Sequence, residues 1–169
     1  MHNDNIILIG MPTSGKSTVG VILAKVLGMD FVDTDLLIQK KTGEKLKDTI
    51  NRCGVEGFLK VEEEVCTDLQ AETSVIATGG SVVYGEKAME HLKDLGRVVY
   101  LKIGFDTLQA RLRDVKQRGV VLREGQSIQD LYEERILLYE KYGDLTVAEE
   151  GLTMEETVEA VIQELKRKV

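Results

Sequence analysis

Eight consecutive residues, Gly10-Met11-Pro12-Thr13-Ser14-Gly15-Lys16-Ser17, followed by Thr18, fit the pattern G-x-x-x-x-G-K-[ST], a spacing suited to holding a chain of phosphates. Glycines at both ends let the backbone curl so that successive N–H groups point inward at anionic oxygens. Lys16 then reaches the β- and γ-phosphates of a nucleotide, and the Ser17 hydroxyl becomes a ligand of Mg²⁺. Pro12, Thr13, Ser14 and Thr18 complete the loop around them. A helix opening at Gly15 adds the positive end of its dipole to the same place. The flanks agree: the apolar run Ile6–Ile9 reads as a strand before the loop. Val19, Ile22, Leu23, Val26 and Leu27 read as an amphipathic helix after it.

Other stretches could complete the chemistry. Asp33 and Asp35 stand two apart at the end of a short strand, so extended backbone points both carboxylates to one side. Asp33 suits the metal, through water, and Asp35 suits an acceptor hydroxyl whose proton must be taken. The other reading is an acidic turn that caps the next helix. Thr78-Gly79-Gly80 either brings bare backbone close to a ligand or is a turn that needs positive φ. Arg135 falls in the middle of the inward face marked by Ile128, Leu131, Tyr132, Leu138, Tyr139 and Tyr142. An arginine there needs an anion, either a structural carboxylate or a bound substrate. Arg118 lies in the polar segment Val115–Gln126, the predicted mobile loop. It either closes over phosphates or is solvated. Arg111 and Arg113, on the helix before, either stack on an adenine face or simply flank that helix.

The elements that must position these residues alternate. Strands are expected at Ile6–Ile9, Met29–Asp33, Ser74–Ala77, Val98–Leu101 and Leu145–Val147. Between them lie helical stretches: short pieces at Leu36–Lys41 and Lys45–Ile50, then Gly57–Leu69, Glu86–Leu95, Phe105–Arg113, Ile128–Tyr142 and Met154–Lys168. Alternation of this kind predicts a parallel sheet with helices on both faces. Ligands bind such sheets beyond the carboxyl ends of the strands. The phosphate loop, Asp33/Asp35 and Thr78-Gly79-Gly80 should therefore meet at one rim.

Composition limits the partners. With 22 basic and 29 acidic residues the net charge is −7, which argues against a nucleic-acid duplex or a membrane surface. No apolar run is long enough to span a bilayer, and no signal peptide is visible. Cys53 and Cys66 lack metal spacing and read as reduced, half-buried thiols in a cytoplasmic protein. Two histidines leave little from which to build a triad or a zinc site.

In the order of these motifs the chain resembles the shikimate kinases, small P-loop kinases related in fold to the nucleoside monophosphate kinases. The likeness runs from Gly10–Thr18 through Asp33-Thr34-Asp35, Gly79-Gly80 and Arg118 to Glu134-Arg135 with Leu138-Tyr139. It implies one α/β domain over 1–169, a three-layer P-loop fold with a five-stranded parallel sheet. A lid at about 115–126 and a substrate-binding helical region at about 34–70 belong to it. It implies an ATP- and Mg²⁺-dependent kinase for a small molecule, shikimate first, acting as a monomer. Lys16, Asp35 and Arg118 would be catalytic, with Arg118 and Arg111 beside the nucleotide and Ser17 and Asp33 serving magnesium. Asp35, Gly79, Gly80 and Arg135 would hold the acceptor. The chain departs from the family pattern at several points. Gly-Glu-x-x-Phe-Arg-x-x-Glu becomes Gly54-Val55-Glu56-Gly57-Phe58-Leu59-Lys60-Val61-Glu62, so Leu59 replaces an arginine that clamps the substrate carboxylate. Lys60 is the nearest substitute cation. Thr78 displaces a third glycine, and Arg118 is followed by Gly119-Val120 rather than proline. Two further readings stay open, a kinase of the same fold for another polyol, hydroxy acid or nucleotide, and an NTP-hydrolysing module. Asp35 and Arg135 speak against the second, which has no use for an acceptor clamp.

Overall fold

The computed structural model describes residues 4–114 and 120–167. Five strands, β1 (Asn5–Gly10), β2 (Asp30–Asp33), β3 (Ser74–Ala77), β4 (Gly96–Lys102) and β5 (Leu145–Ala148), form one sheet in the order β2-β3-β1-β4-β5. Every pairing is parallel. All five expected strands are present, and the sheet and its layers match the expected fold.

The central strand shows how the layers are built. Successive side chains of a strand point to opposite faces, so Ile6 and Leu8 enter one core while Ile7 and Ile9 enter the other. On the first face lie α1 (Lys16–Leu27) and α7 (Met154–Arg167), contributing Val19, Leu23, Val158 and Val161. On the second lie α3 (Leu46–Thr67), α4 (Glu86–Leu95), α5 (Phe105–Asp114) and α6 (Ile128–Tyr142), with Cys66, Met89, Leu92, Leu108 and Tyr139 in that core. Burying each such large apolar side chain is worth about 1.5–3 kcal/mol. A third, smaller cluster joins α2 (Thr34–Thr42) and α3 to the chain after residue 119, through Ile38, Phe58, Val65 and Val121.

Three local differences from expectation have physical causes. The helical pieces expected at 45–50 and 57–69 are two helices that extend to meet with no loop between them, and α3 spans both across Gly54, whose φ of 71° and ψ of 177° are non-helical. Only glycine adopts that conformation cheaply, so the sequence gap marked a kink rather than a loop. In α1 the buried stripe is Val19, Gly20, Leu23 and Ala24, while Val26 and Leu27 fall past it and stay exposed. Cys66 is fully buried, not half-buried, because it faces the sheet from α3; Cys53 remains half-buried, and both are free thiols. No described helix is long and apolar enough to cross a membrane.

Candidate active site

Because β2, β3 and β1 are neighbours, their carboxyl ends deliver three loops to the same rim. A cavity of about 820 Å³ opens there, lined by the phosphate loop, Asp33, Asp35, Thr78-Gly79-Gly80, Phe58, Glu62 and Arg135 among others. These sequence-predicted groups do converge.

The loop has the backbone its sequence demands. Gly15 ends it in the left-handed region at φ 82° and caps α1, and Thr13 also adopts positive φ, at 71°. Lys16 is buried and folds back to donate to the carbonyls of Gly10 at 2.8 Å and Met11 at 2.7 Å. It also donates to Ser14 Oγ at 3.4 Å. Pro12, Thr13, Ser17 and Thr18 line the cavity beside it. From α5, Arg111 donates to Thr13 O at 2.8 Å, which ties that helix to the loop. Arg113 is exposed. Arg118 lies outside the described residues.

Asp33 does two jobs. Its Oδ1 accepts from the backbone N–H groups of Asp35 and Leu36, capping α2, and its Oδ2 accepts from Ser17 Oγ at 2.8 Å. The capping reading and the metal reading are therefore compatible. A hydroxyl and a carboxylate oxygen in contact beside the phosphate loop are a hard oxygen donor set of the kind Mg²⁺ takes, so the residues present fit that ion.

Neither Gly79 nor Gly80 has positive φ, which removes the turn explanation for them. They are there for close approach. A Cβ on Gly79 would stand 2.7 Å from Glu62 Oε2 and 2.8 Å from Asp35 Oδ1. A Cβ on Gly80 would stand 2.9 Å from Pro12 Cδ and 3.1 Å from Arg135 Nη1. Thr78 is buried and its hydroxyl donates to Leu8 O at 2.8 Å, holding this turn against β1.

Arg135 is 2% exposed. Its Nη2 donates to Val121 O at 2.9 Å, while Nε is buried without a partner. Among the described residues it forms no ion pair with a carboxylate. The structural-carboxylate reading of this arginine thus finds no such partner.

Glu62 is the residue that sequence reasoning passed over. It is buried, its Oε1 accepts from Ser81 Oγ at 2.7 Å, and Oε2 has no partner. Burial, with the charge of Asp35 adding to it, raises its pKa to about 7 against the opposing effects of the Ser81 hydrogen bond, Arg135 and Lys16. Its signal was the four-residue spacing from Phe58, which puts both on one face of α3. The same geometry corrects the expectation for Lys60. Two residues beyond Phe58 is about 200° around the helix, and Lys60 is exposed and does not line the cavity. Leu59 packs instead against the cluster of Ile38, Phe58, Val65 and Val121. At the other end of the rim, past β5, Glu149 is buried and raised to about 7 by burial, opposed by Arg111 and Lys16.

Comparison with known proteins agrees with this geometry. The family model for shikimate kinase matches residues 12–166. A shikimate kinase of Thermodesulfovibrio yellowstonii is 37% identical over 166 residues, covering 96% of this chain and 95% of the relative. The crystal structure of shikimate kinase from Aquifex aeolicus superposes with a TM-score of 0.82 at 36% identity, covering 96% of each chain. Shikimate kinase from Acinetobacter baumannii in complex with shikimate superposes with a TM-score of 0.87 at 31% identity, covering 98% of this chain and 95% of that one. A match of this length, on a sheet and rim that place the same motifs together, means that the chain belongs to the shikimate kinase family.

Proposed function

We propose that this ATP-dependent phosphotransferase moves the γ-phosphate of ATP to a hydroxyl of shikimate, giving shikimate 3-phosphate. The observation that carries the acceptor is Arg135. It is a buried guanidinium with an unpartnered Nε, in the same cavity as Asp35 and the phosphate loop. Such a group calls for an anionic ligand, and Asp35 calls for a hydroxyl. A hydroxylated carboxylate supplies both.

The roles follow from position. The loop N–H groups, Lys16 and Arg111 hold the nucleotide end, Lys16 turning from the Gly10 and Met11 carbonyls to the phosphates. Ser17 and Asp33 would hold Mg²⁺, which when bound neutralises charge on the β- and γ-phosphates. Asp35 accepts the proton of the attacking hydroxyl. Gly79 and Gly80 leave room for the acceptor against bare backbone, and Arg135 fixes its carboxylate. Arg118, in the lid, is assigned to the transferring phosphate. The described site residues all come from one chain, which supports a monomer, and its thiols and need for ATP suit the cytoplasm. One observation favours a second reading, a kinase of this fold for a different small hydroxy acid. Leu59 carries no charge and Lys60 does not line the cavity, and the cations that the start of α3 brings there are lysines, Lys45 and Lys47.

A thermal-shift series with ADP and Mg²⁺ tests the acceptor. Shikimate should raise the melting temperature, since a ligand at 100 times its Kd adds about 2.7 kcal/mol of stability. Hydroxylated compounds of the same size without a carboxylate should not. Stabilisation by neutral polyols and none by any hydroxy acid would overturn the assignment.

A further inference from the structure

Reading Arg135 as the acceptor's anchor raises the question of what holds it in place. A guanidinium is useful as a clamp only if its plane is fixed, and nearby carboxylates usually do that. Here the described hydrogen bond of Arg135 goes from Nη2 to the Val121 carbonyl, which leaves rotation about that contact unopposed by any polar partner of Nε.

The second constraint is an aromatic face. Tyr84 ends the short 3-10 turn Val82–Tyr84 that follows Gly79-Gly80-Ser81. The Arg135 guanidinium carbon lies 5.3 Å from the centre of its ring, within the range of a cation–π contact. Arg123 lies 5.0 Å from the same ring. The two arginines differ in what else they meet. Arg123 pairs with Glu134 at 3.1 Å and Glu56 at 3.4 Å, so its charge is already answered on the outside. Arg135 has no such pair among the described residues. The Tyr84 hydroxyl is buried with no well-aligned hydrogen bond, although it faces Glu134 and Arg135; what lies against the Arg135 guanidinium is the ring.

We propose that Tyr84 is a positioning residue for acceptor recognition. Its ring, with Arg123 and Arg135 both within cation–π range, fixes the Arg135 guanidinium so that Nε and the Nη1 beside Gly80 are presented to the acceptor's carboxylate. The inference rests on the reading above that Arg135 binds the acceptor. With no arginine at position 59, Arg135 is the one described guanidinium lining the cavity beside Lys45 and Lys47, so a bidentate hold on the carboxylate depends on its orientation. The ring meets that need at a place the motifs of the sequence do not mark.

Steady-state kinetics of Tyr84→Leu and Tyr84→Phe, each with and without Arg135→Ala, test it. Tyr84→Leu keeps apolar volume and removes the face. It should raise the acceptor KM about threefold to thirtyfold, the span of a cation–π contact, with ATP KM and kcat at saturating acceptor within twofold. Tyr84→Phe keeps the face and should stay within twofold of wild type throughout. In the Arg135→Ala background Tyr84→Leu should add nothing. If Tyr84→Leu melts far below wild type, Tyr84→Met is the substitute without a ring. An unchanged acceptor KM in Tyr84→Leu would overturn the proposal, as would a Phe variant as impaired as Leu, or an equal effect without Arg135. An Arg135→Ala enzyme with wild-type acceptor KM would instead remove the acceptor assignment, and this inference with it.

Discussion

The carboxyl groups of Asp35 and Glu62 converge on one point beside Gly79, where a Cβ would lie 2.8 Å from Asp35 Oδ1 and 2.7 Å from Glu62 Oε2. One of these groups comes from the start of α2 and the other from the middle of α3, so the acceptor end depends on how those helices pack. Gly79→Ala should push both oxygens aside. A displacement of that order costs about 10²-fold in turnover, and ATP affinity should hold because the phosphate loop is untouched. Kinetics showing wild-type kcat in a folded Gly79→Ala enzyme would mean the space beside Gly79 is not used.

Glu62 gives the protein a pH-dependent stability with a defined sign. Burial raises its pKa from the usual 4.5 to about 7 in the folded state. Between those values the folded chain keeps a proton that the unfolded chain releases. Stability is therefore fully present below about pH 4.5, falls as the pH rises towards 7, and then levels off. At about 1.4 kcal/mol per unit, the loss attributable to Glu62 is at most about 3–4 kcal/mol. Glu149, raised to about 7 in the same way, adds a second share. Urea unfolding at pH 5 and pH 8 should show Glu62→Gln losing less stability over that interval than wild type. Identical losses would mean Glu62 does not retain its proton.

Asp35→Asn should lower kcat by about 10²–10⁴, the usual worth of a positioned base, with ATP KM little changed. Equal damage to ATP binding would make Asp35 a metal or structural residue instead.

The nucleotide end of this site was almost wholly legible. Gly10 to Thr18 form one contiguous stretch whose spacing specifies its backbone, and Asp33 and Asp35 follow a strand that alternation places. The acceptor end was legible only in part, because it is assembled across the fold. Arg135 stood out as a charge on an apolar face, but Glu62 is one of three consecutive glutamates, Glu62-Glu63-Glu64, and was given no role. Its place at the end of the family pattern and its register with Phe58 set it apart, and that register counts once the helix is known to run unbroken from Gly54 onward. Asn5 was lost in the same way. It falls just before the expected strand Ile6–Ile9, yet it is buried, donating to the carbonyls of Ala71 and Leu95 and accepting from Ser74 N–H. No local pattern announces bonds that span such distances in the chain.

Leu59 offers a gain-of-function test. It lies half-buried against the α2–α3 cluster, one turn before Glu62 on α3. Leu59→Arg should return a charge-assisted contact worth about 1.5–3 kcal/mol and lower the KM for shikimate by roughly tenfold to a hundredfold. If the enzyme serves another acceptor, arginine there is desolvated without a partner and activity on that acceptor falls.

The most direct measurement follows phosphorus. Wild-type protein with ATP, Mg²⁺ and shikimate, monitored by ³¹P NMR, should consume ATP only when shikimate is present and yield ADP and one new phosphate monoester in equal amounts. A Lys16→Ala protein that keeps its fold should yield neither, because the loop has lost the group that reaches the β- and γ-phosphates. ATP consumed at the same rate without shikimate, with inorganic phosphate as the product and no ester, would contradict the assignment of phosphoryl transfer to this acceptor.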